Sequence, residues 1–173
     1  MPAYALLAVG ADRPGIIAAV AERLVAHGVN ITDSQMGILR GSFAMALALS
    51  VPENADPAAL EADLRDAGER LRLEALVLRP VSDAPGHDAP THAVTVYGAD
   101  HPGIVAAVTG ALARHEVNVC DLRTRLAGDL YVMHLEVILP AGLAEERLGE
   151  ALDAVAARQE VEITVAPVDA EVL

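Results

Sequence analysis

Alternation is clearest at residues 42–51. Phe43, Met45, Leu47, Leu49 and Val51 are bulky and apolar, while Ser42, Ala44, Ala46, Ala48 and Ser50 between them are small. A period of two puts these sets on opposite faces of a β-strand, one core-like and one small and flat. Upstream, residues 3–9 form a short apolar run closed by Gly10 and predict a buried strand. Ile16, Val20 and Leu24, flanked by Ile17 and Ala21, recur at helical spacing, with Glu22 and Arg23 off the stripe. Asp12-Arg13-Pro14-Gly15 before them predicts a helix start, with Asp12 able to cap and Pro14 in the first turn. Gly28 marks the helix end. Residues 29–39 predict a strand, turned at Arg40-Gly41 into the strand at 42–51. Pro57 opens a second helix with Leu60, Leu64, Ala67 and Leu71 inward, and Leu73, Ala75 and Val77 alternate with Glu74 as a last strand.

The chain then repeats itself. Gly10-Ala11-Asp12-Arg13-Pro14-Gly15-Ile16 returns 88 residues later, from Gly10 to Gly98, as Gly98-Ala99-Asp100-His101-Pro102-Gly103-Ile104. The offset holds without a gap to Pro52 and Pro140. That is too long for a solenoid unit of ~20–50 residues and marks a duplicated domain. The second copy predicts a strand at 92–97, a helix at 102–115, a hairpin from 117–126 and 130–139, and a helix at 143–158 with Leu148, Leu152 and Val155 inward. Val161, Ile163 and Val165 mark its last strand. The order βαββαβ predicts an α+β fold of two ferredoxin-like domains, each an antiparallel four-stranded sheet with two helices on one face. The expected boundaries are 1–80 and 91–173, with a Pro- and Gly-rich linker at 81–90.

Charge narrows the partners. The net charge of −13 repels phosphate backbones, so direct nucleic-acid binding is not expected. Arg40-Gly41-Ser42-Phe43 faintly resembles an RNA-recognition strand, but stacking needs two or three exposed aromatics and Phe43 stands alone on the core face. No apolar run reaches the ~18 residues of a membrane helix, and no basic, apolar leader is present, so a cytoplasmic protein without membrane contact is expected. Cys120 alone builds no disulfide framework and reads as a buried small residue. The six histidines lack metal-ligand spacing, and no nucleophile elbow, phosphate loop or carboxylate pair is present. No cofactor and no catalysis are expected. His27 and His115 end equivalent helices and read as structural, and His134 and Glu136 as a solvated face or a contact between domains.

Asp-x-Pro-Gly-Ile at the strand–helix junction, with Gly-Val-Asn-Ile or Glu-Val-Asn-Val at the next strand, resembles the ACT domain in both copies. A chain of two such domains is similar to the family of the glycine cleavage system transcriptional repressor. The paired ACT front half of some phosphoserine phosphatases is similar too. The resemblance implies a regulator that binds a small amino acid, glycine or serine, and acts through a protein partner such as a transcription factor. It places the ligand between the junction of one domain and the second strand of a neighbour. Carried onto this chain, the candidate residues are Asp12, Arg13, Pro14, Gly15, Ile16, Asn30 and Ile31, and Asp100, His101, Pro102, Gly103, Ile104, Asn118 and Val119.

The chemistry is suitable. A helix N-terminus offers free N–H groups and positive potential to a carboxylate. Glycine lets a ligand approach the backbone. An asparagine amide accepts from ammonium and donates to carboxylate. A purely structural set of roles also fits: Asp12 and Asp100 as caps, Gly15 for close packing, Asn30 and Asn118 tying down turns. The alternative function is therefore an assembly module that binds a protein partner and no small molecule. The copies differ at Arg13/His101 and Gly28/Glu116, and Glu116 implies a helix ending unlike that at Gly28. The Ala44-Ala46-Ala48 face calls for a covering partner, which implies pairing of domains and a homo-oligomer.

Overall fold

A computed structural model describes residues 2–82 and 89–168. Most of the expected linker, residues 83–88, lies outside the described residues, as do 169–173. The chain divides into two compact units, Met1–Gly86 and His87–Leu173. The first contains β1 (Ala3–Ala11), α1 (Ile16–Ala26), β2 (Asn30–Leu39), β3 (Ser42–Ser50), α2 (Pro57–Arg70) and β4 (Leu73–Val81). The second contains β5 (His92–Ala99), α3 (Ile104–Arg114), β6 (Asn118–Ala127), β7 (Leu130–Ile138), α4 (Glu145–Gln159) and β8 (Val161–Pro167). The sheets are antiparallel, in the orders β2-β3-β1-β4 and β6-β7-β5-β8.

Each core lies between one sheet face and its two helices. In the first, Ile16, Val20 and Leu24 of α1 and Leu60 and Leu64 of α2 meet Leu6, Ala8 and the bulky face of β3. The α1 stripe is narrower than predicted: Ile17 is 47% exposed, at the margin facing β2. The β3 alternation holds through Phe43, Met45, Leu47, Leu49 and Val51, all buried. Arg40 and Gly41 both have positive φ, 50° and 83°, as a two-residue hairpin turn requires.

Two predictions failed locally. Leu73, Ala75 and Val77 do not share the inward face of β4. Gly10 pairs with Leu73 but Val9 pairs with Ala75, so Glu74 is an extra residue in the ladder. That bulge switches parity, and Leu76 and Leu78 then pack on the core. Close approach explains the first glycine of each repeat: a Cβ on Gly10 would lie 2.9 Å from Leu73 Cδ2, and one on Gly98 would lie 2.6 Å from Val161 Cγ1.

Glu116 does not give a different helix ending. It has φ 57°, against 68° for Gly28. The Val117 N–H donates to Leu112 O at 3.0 Å, as the Val29 N–H donates to Leu24 O at 2.9 Å. Val29 and Val117 are both buried. The buried valine and the closing hydrogen bond hold Glu116 left-handed against a strain of roughly 1–2 kcal/mol.

Candidate ligand-binding site

Each strand–helix junction is built on a left-handed glycine. Gly15 (φ 94°) precedes α1 and Gly103 (φ 106°) precedes α3, and neither helix has a side-chain cap. Asp12 and Asp100 are therefore not the caps predicted, and Pro14 and Pro102 lie just before the helices rather than in their first turns. The reason is the glycine turn, which puts the N-cap at Gly15 and starts the helix four residues after Asp12. The Asp12 N–H instead donates to Gly41 O at 3.1 Å, tying the junction to the β2–β3 turn. Gly15 is not needed for close packing, because a Cβ there would meet nothing within 4 Å. Its positive φ is what requires glycine.

The first helical hydrogen bonds run from Ala19 N–H to Gly15 O and from Ala107 N–H to Gly103 O, both at 2.9 Å. The N–H groups of Ile16, Ile17 and Ala18 precede that ladder. These residues help line a hollow of about 230 Å³ whose rim is Asp12-Arg13-Pro14-Gly15 and whose wall includes Met36 and Phe43. An apolar groove of about 210 Å³ adjoins it between α1 and β2, lined by residues including Ile17, Val20, Ile31 and Met36. Ile17 and Met36 border both cavities. Sequence reading missed Met36 and Phe43 at the junction. The ladder brings them there by pairing Gly10 with Phe43 and Phe43 with Ile38.

Asn30 is not brought to that junction. It pairs with Ser50, at the far end of β2 from Ile38, roughly 25 Å away at strand rise. Its register places it on the sheet face away from the helices. Ile31 points the other way, into the groove. One domain alone therefore does not gather the predicted residues. In the second unit, Val119 packs on the core, and Asn118 Nδ2 donates weakly to Cys120 Sγ at 3.9 Å.

The second junction has its own chemistry. His101 Nε2 lies 2.7 Å from Gln159 O and its Nδ1 lies 3.2 Å from Pro102 O. Both partners are acceptors, so the doubly protonated imidazolium suits the site best. The bond to Gln159 O, then that to Pro102 O, raises the His101 pKa, and Asp100 and Glu160 add to it. A raised folded-state pKa stabilises fully below the unfolded value of about 6.5 and is lost as pH rises through the folded value. Thermal melts of the wild type should therefore weaken from mildly acidic to mildly alkaline pH. His101→Gln should flatten that slope, and an unchanged slope would show that His101 does not supply it.

Tyr131 occupies the place of Phe43, and its hydroxyl donates to Met133 Sδ at 3.7 Å. Burial, then the Asp100 charge, raises its pKa. Cys120 is half-buried rather than buried, and burial, then Glu136, raises its pKa. It sits in the β6 ladder's bulge, which keeps it out of the core. His27 bonds Asp63 at 2.8 Å, joining α1 to α2, and His134 lies 3.3 Å from Thr95 Oγ1. Among the described residues no three His, Cys, Asp or Glu converge as a metal site, and no helix is long and apolar enough to cross a membrane.

The ACT-domain family profile matches residues 6–77 and 92–166. The glycine cleavage system transcriptional repressor of Escherichia coli is 31% identical over 121 residues, covering 69% of this chain and 63% of that protein. Phosphoserine phosphatase SerB2 of Mycobacterium tuberculosis is 30% identical over 159 residues, covering 90% of this chain but 38% of that protein. The chain thus spans less than two thirds of either relative's length. A crystal structure of an unknown protein from Galdieria sulphuraria superposes with a TM-score of 0.81 at 28% identity, over 97% of this chain and 99% of that one. A candidate glycine cleavage system transcriptional repressor shares the fold, with a TM-score of 0.76 at 20% identity over 97% of this chain and 98% of that one.

Proposed function

Because this chain belongs to the ACT-domain family, we propose that it is a non-catalytic regulator that binds a small amino acid and controls a protein partner. The observation that carries this reading is the duplicated junction, where a left-handed glycine opens a helix in each unit, together with the hollow beside the first of them. The ligand carboxylate takes those N–H groups. Arg13 adds a permanent positive charge at the first junction, and His101 a proton-dependent one at the second. Asn30 or Asn118, supplied by a neighbouring ACT domain, holds the ammonium. Glycine and serine are the ligands that the likeness to the glycine cleavage system repressor and to phosphoserine phosphatase suggests.

The likeness to the E. coli repressor supports a role in transcription, which this chain exerts through a partner protein and with no direct nucleic-acid contact. The charge of −13 supports the second half of that statement. Titration calorimetry with the twenty amino acids tests the proposal. Saturable heat with one or two small amino acids is expected. If none binds at millimolar concentration, the assembly-module reading replaces it.

A further inference from the structure

The face of the first sheet opposite its helices is a grid whose rows are set by strand register. One row, across β2, β3, β1 and β4, is Asp33, Ala48, Ala5 and Arg79. The next is Gln35, Ala46, Leu7 and Val77. Leu7 is 50% exposed and Val9, one row further on, 41%. The middle of this face is small, flat and apolar, and the two charges of the first row, Asp33 and Arg79, sit at its opposite edges. An exposed apolar patch of this kind marks an interface.

We infer that this face packs against the same face of a second copy of the chain, about a two-fold axis running along the strands. Such an axis exchanges left and right edges but keeps each row at its level. Asp33 of one copy then lies over Arg79 of the other, and Arg79 over Asp33, while alanines meet at the centre. The face is self-complementary in charge, as an isologous interface demands. A two-fold axis across the strands would instead put β2 over β2 and leave both charges unmatched. Aligned sheets pack about 10 Å apart, a gap that arginine and aspartate side chains reaching from opposite sheets close together. Asp33 Oδ1 accepts from the Ser34 N–H at 2.7 Å, which holds the carboxylate in place. Arg79 Nη1 donates to Leu78 O at 3.1 Å and carries no ion pair among the described residues.

The equivalent face of the second unit has different chemistry. Asp121 and Glu136 are neighbours in one of its rows, and Arg123 and His134 in the next. Asp121 pairs with Arg123 at 3.0 Å, and seating that face on the alanines would bury these charged groups, Glu136 among them, against side chains that offer no partner. The apolar face therefore selects its own copy.

Sedimentation equilibrium from micromolar to millimolar protein tests this. The wild type should associate beyond the 18.0 kDa chain by a two-fold step. Asp33→Arg and Arg79→Asp should each weaken that step by about tenfold or more, because each sets like charges face to face at two places. The double variant D33R/R79D restores opposite charges and should return association to near the wild-type value. Ala46→Glu should abolish the step without touching the pair. All three positions are at the surface, and a circular dichroism melt verifies that each variant is folded. A wild type without the two-fold step, a step indifferent to the single reversals or to Ala46→Glu, or a double variant no better than the singles would each overturn the proposal.

Discussion

Phe43→Ala should lower stability by about 3–5 kcal/mol, the largest loss expected from one substitution in the first domain. The ring is the chain's one phenylalanine and is 2% exposed. It belongs to the core under α1 and α2 and also walls the hollow at the junction. Removing it forfeits apolar burial and leaves a cavity that the surrounding ladder is too rigid to close. The second copy supplies the control. Tyr131 fills this place and its hydroxyl donates to Met133, the counterpart of Met45. Phe43→Tyr can make the same contact to Met45 and should cost less than about 1.5 kcal/mol. Urea unfolding of both variants is the measurement. Equal losses would mean that the hydroxyl has no place in the first core, and a small loss for both would mean that the site collapses around the void.

The second large effect is on ligand binding. Asn30→Ala should weaken amino-acid affinity by about 1.5–3 kcal/mol, roughly tenfold to a hundredfold, through loss of one charge-assisted hydrogen bond. Stability should move by no more than about 0.5 kcal/mol, because Asn30 is exposed and lies outside the core. Asn118→Ala should do the same if the second copy binds, with a slight further change from its weak contact to Cys120. Calorimetry with the responsive amino acid, paired with a thermal melt of the free protein, separates the two effects. Undiminished affinity in both variants would remove the asparagines from the site and leave the helix N-termini as its polar groups. A fall in stability equal to the fall in affinity would make Asn30 a structural residue.

Much of the fold was legible because its signals are local. The strand at β3 follows from alternation alone, since burial of one face imposes a period of two on any such ladder. The hairpin turn at Arg40-Gly41 and the helix end at Gly28 follow from backbone sterics. The β4 parity was misread because the bulge at Glu74 arises from pairing with Gly10, 64 residues earlier. The helix start was misread for a related reason: Asp12 and Gly15 are both N-cap residues by type, and the folded chain starts α1 after the left-handed Gly15, with the Asp12 N–H bonded to Gly41 O across the sheet. Glu116 follows the same rule, held in a glycine-like conformation by a valine that the core buries.

The sequence by itself determined that there are two copies of one βαββαβ unit, which strand faces are apolar, and that two glycine junctions recur with an asparagine after each first helix. These rest on periodicity, spacing and sterics, which act over a few residues and survive in the order of the letters. Tertiary structure alone decided that Phe43 and Met36 border the junction while Asn30 sits at the opposite end of the strand, and that Asp33 and Arg79 share one row across four strands. Those relations depend on register between segments far apart in the chain. Register is settled only when every ladder hydrogen bond and every buried side chain is satisfied at once.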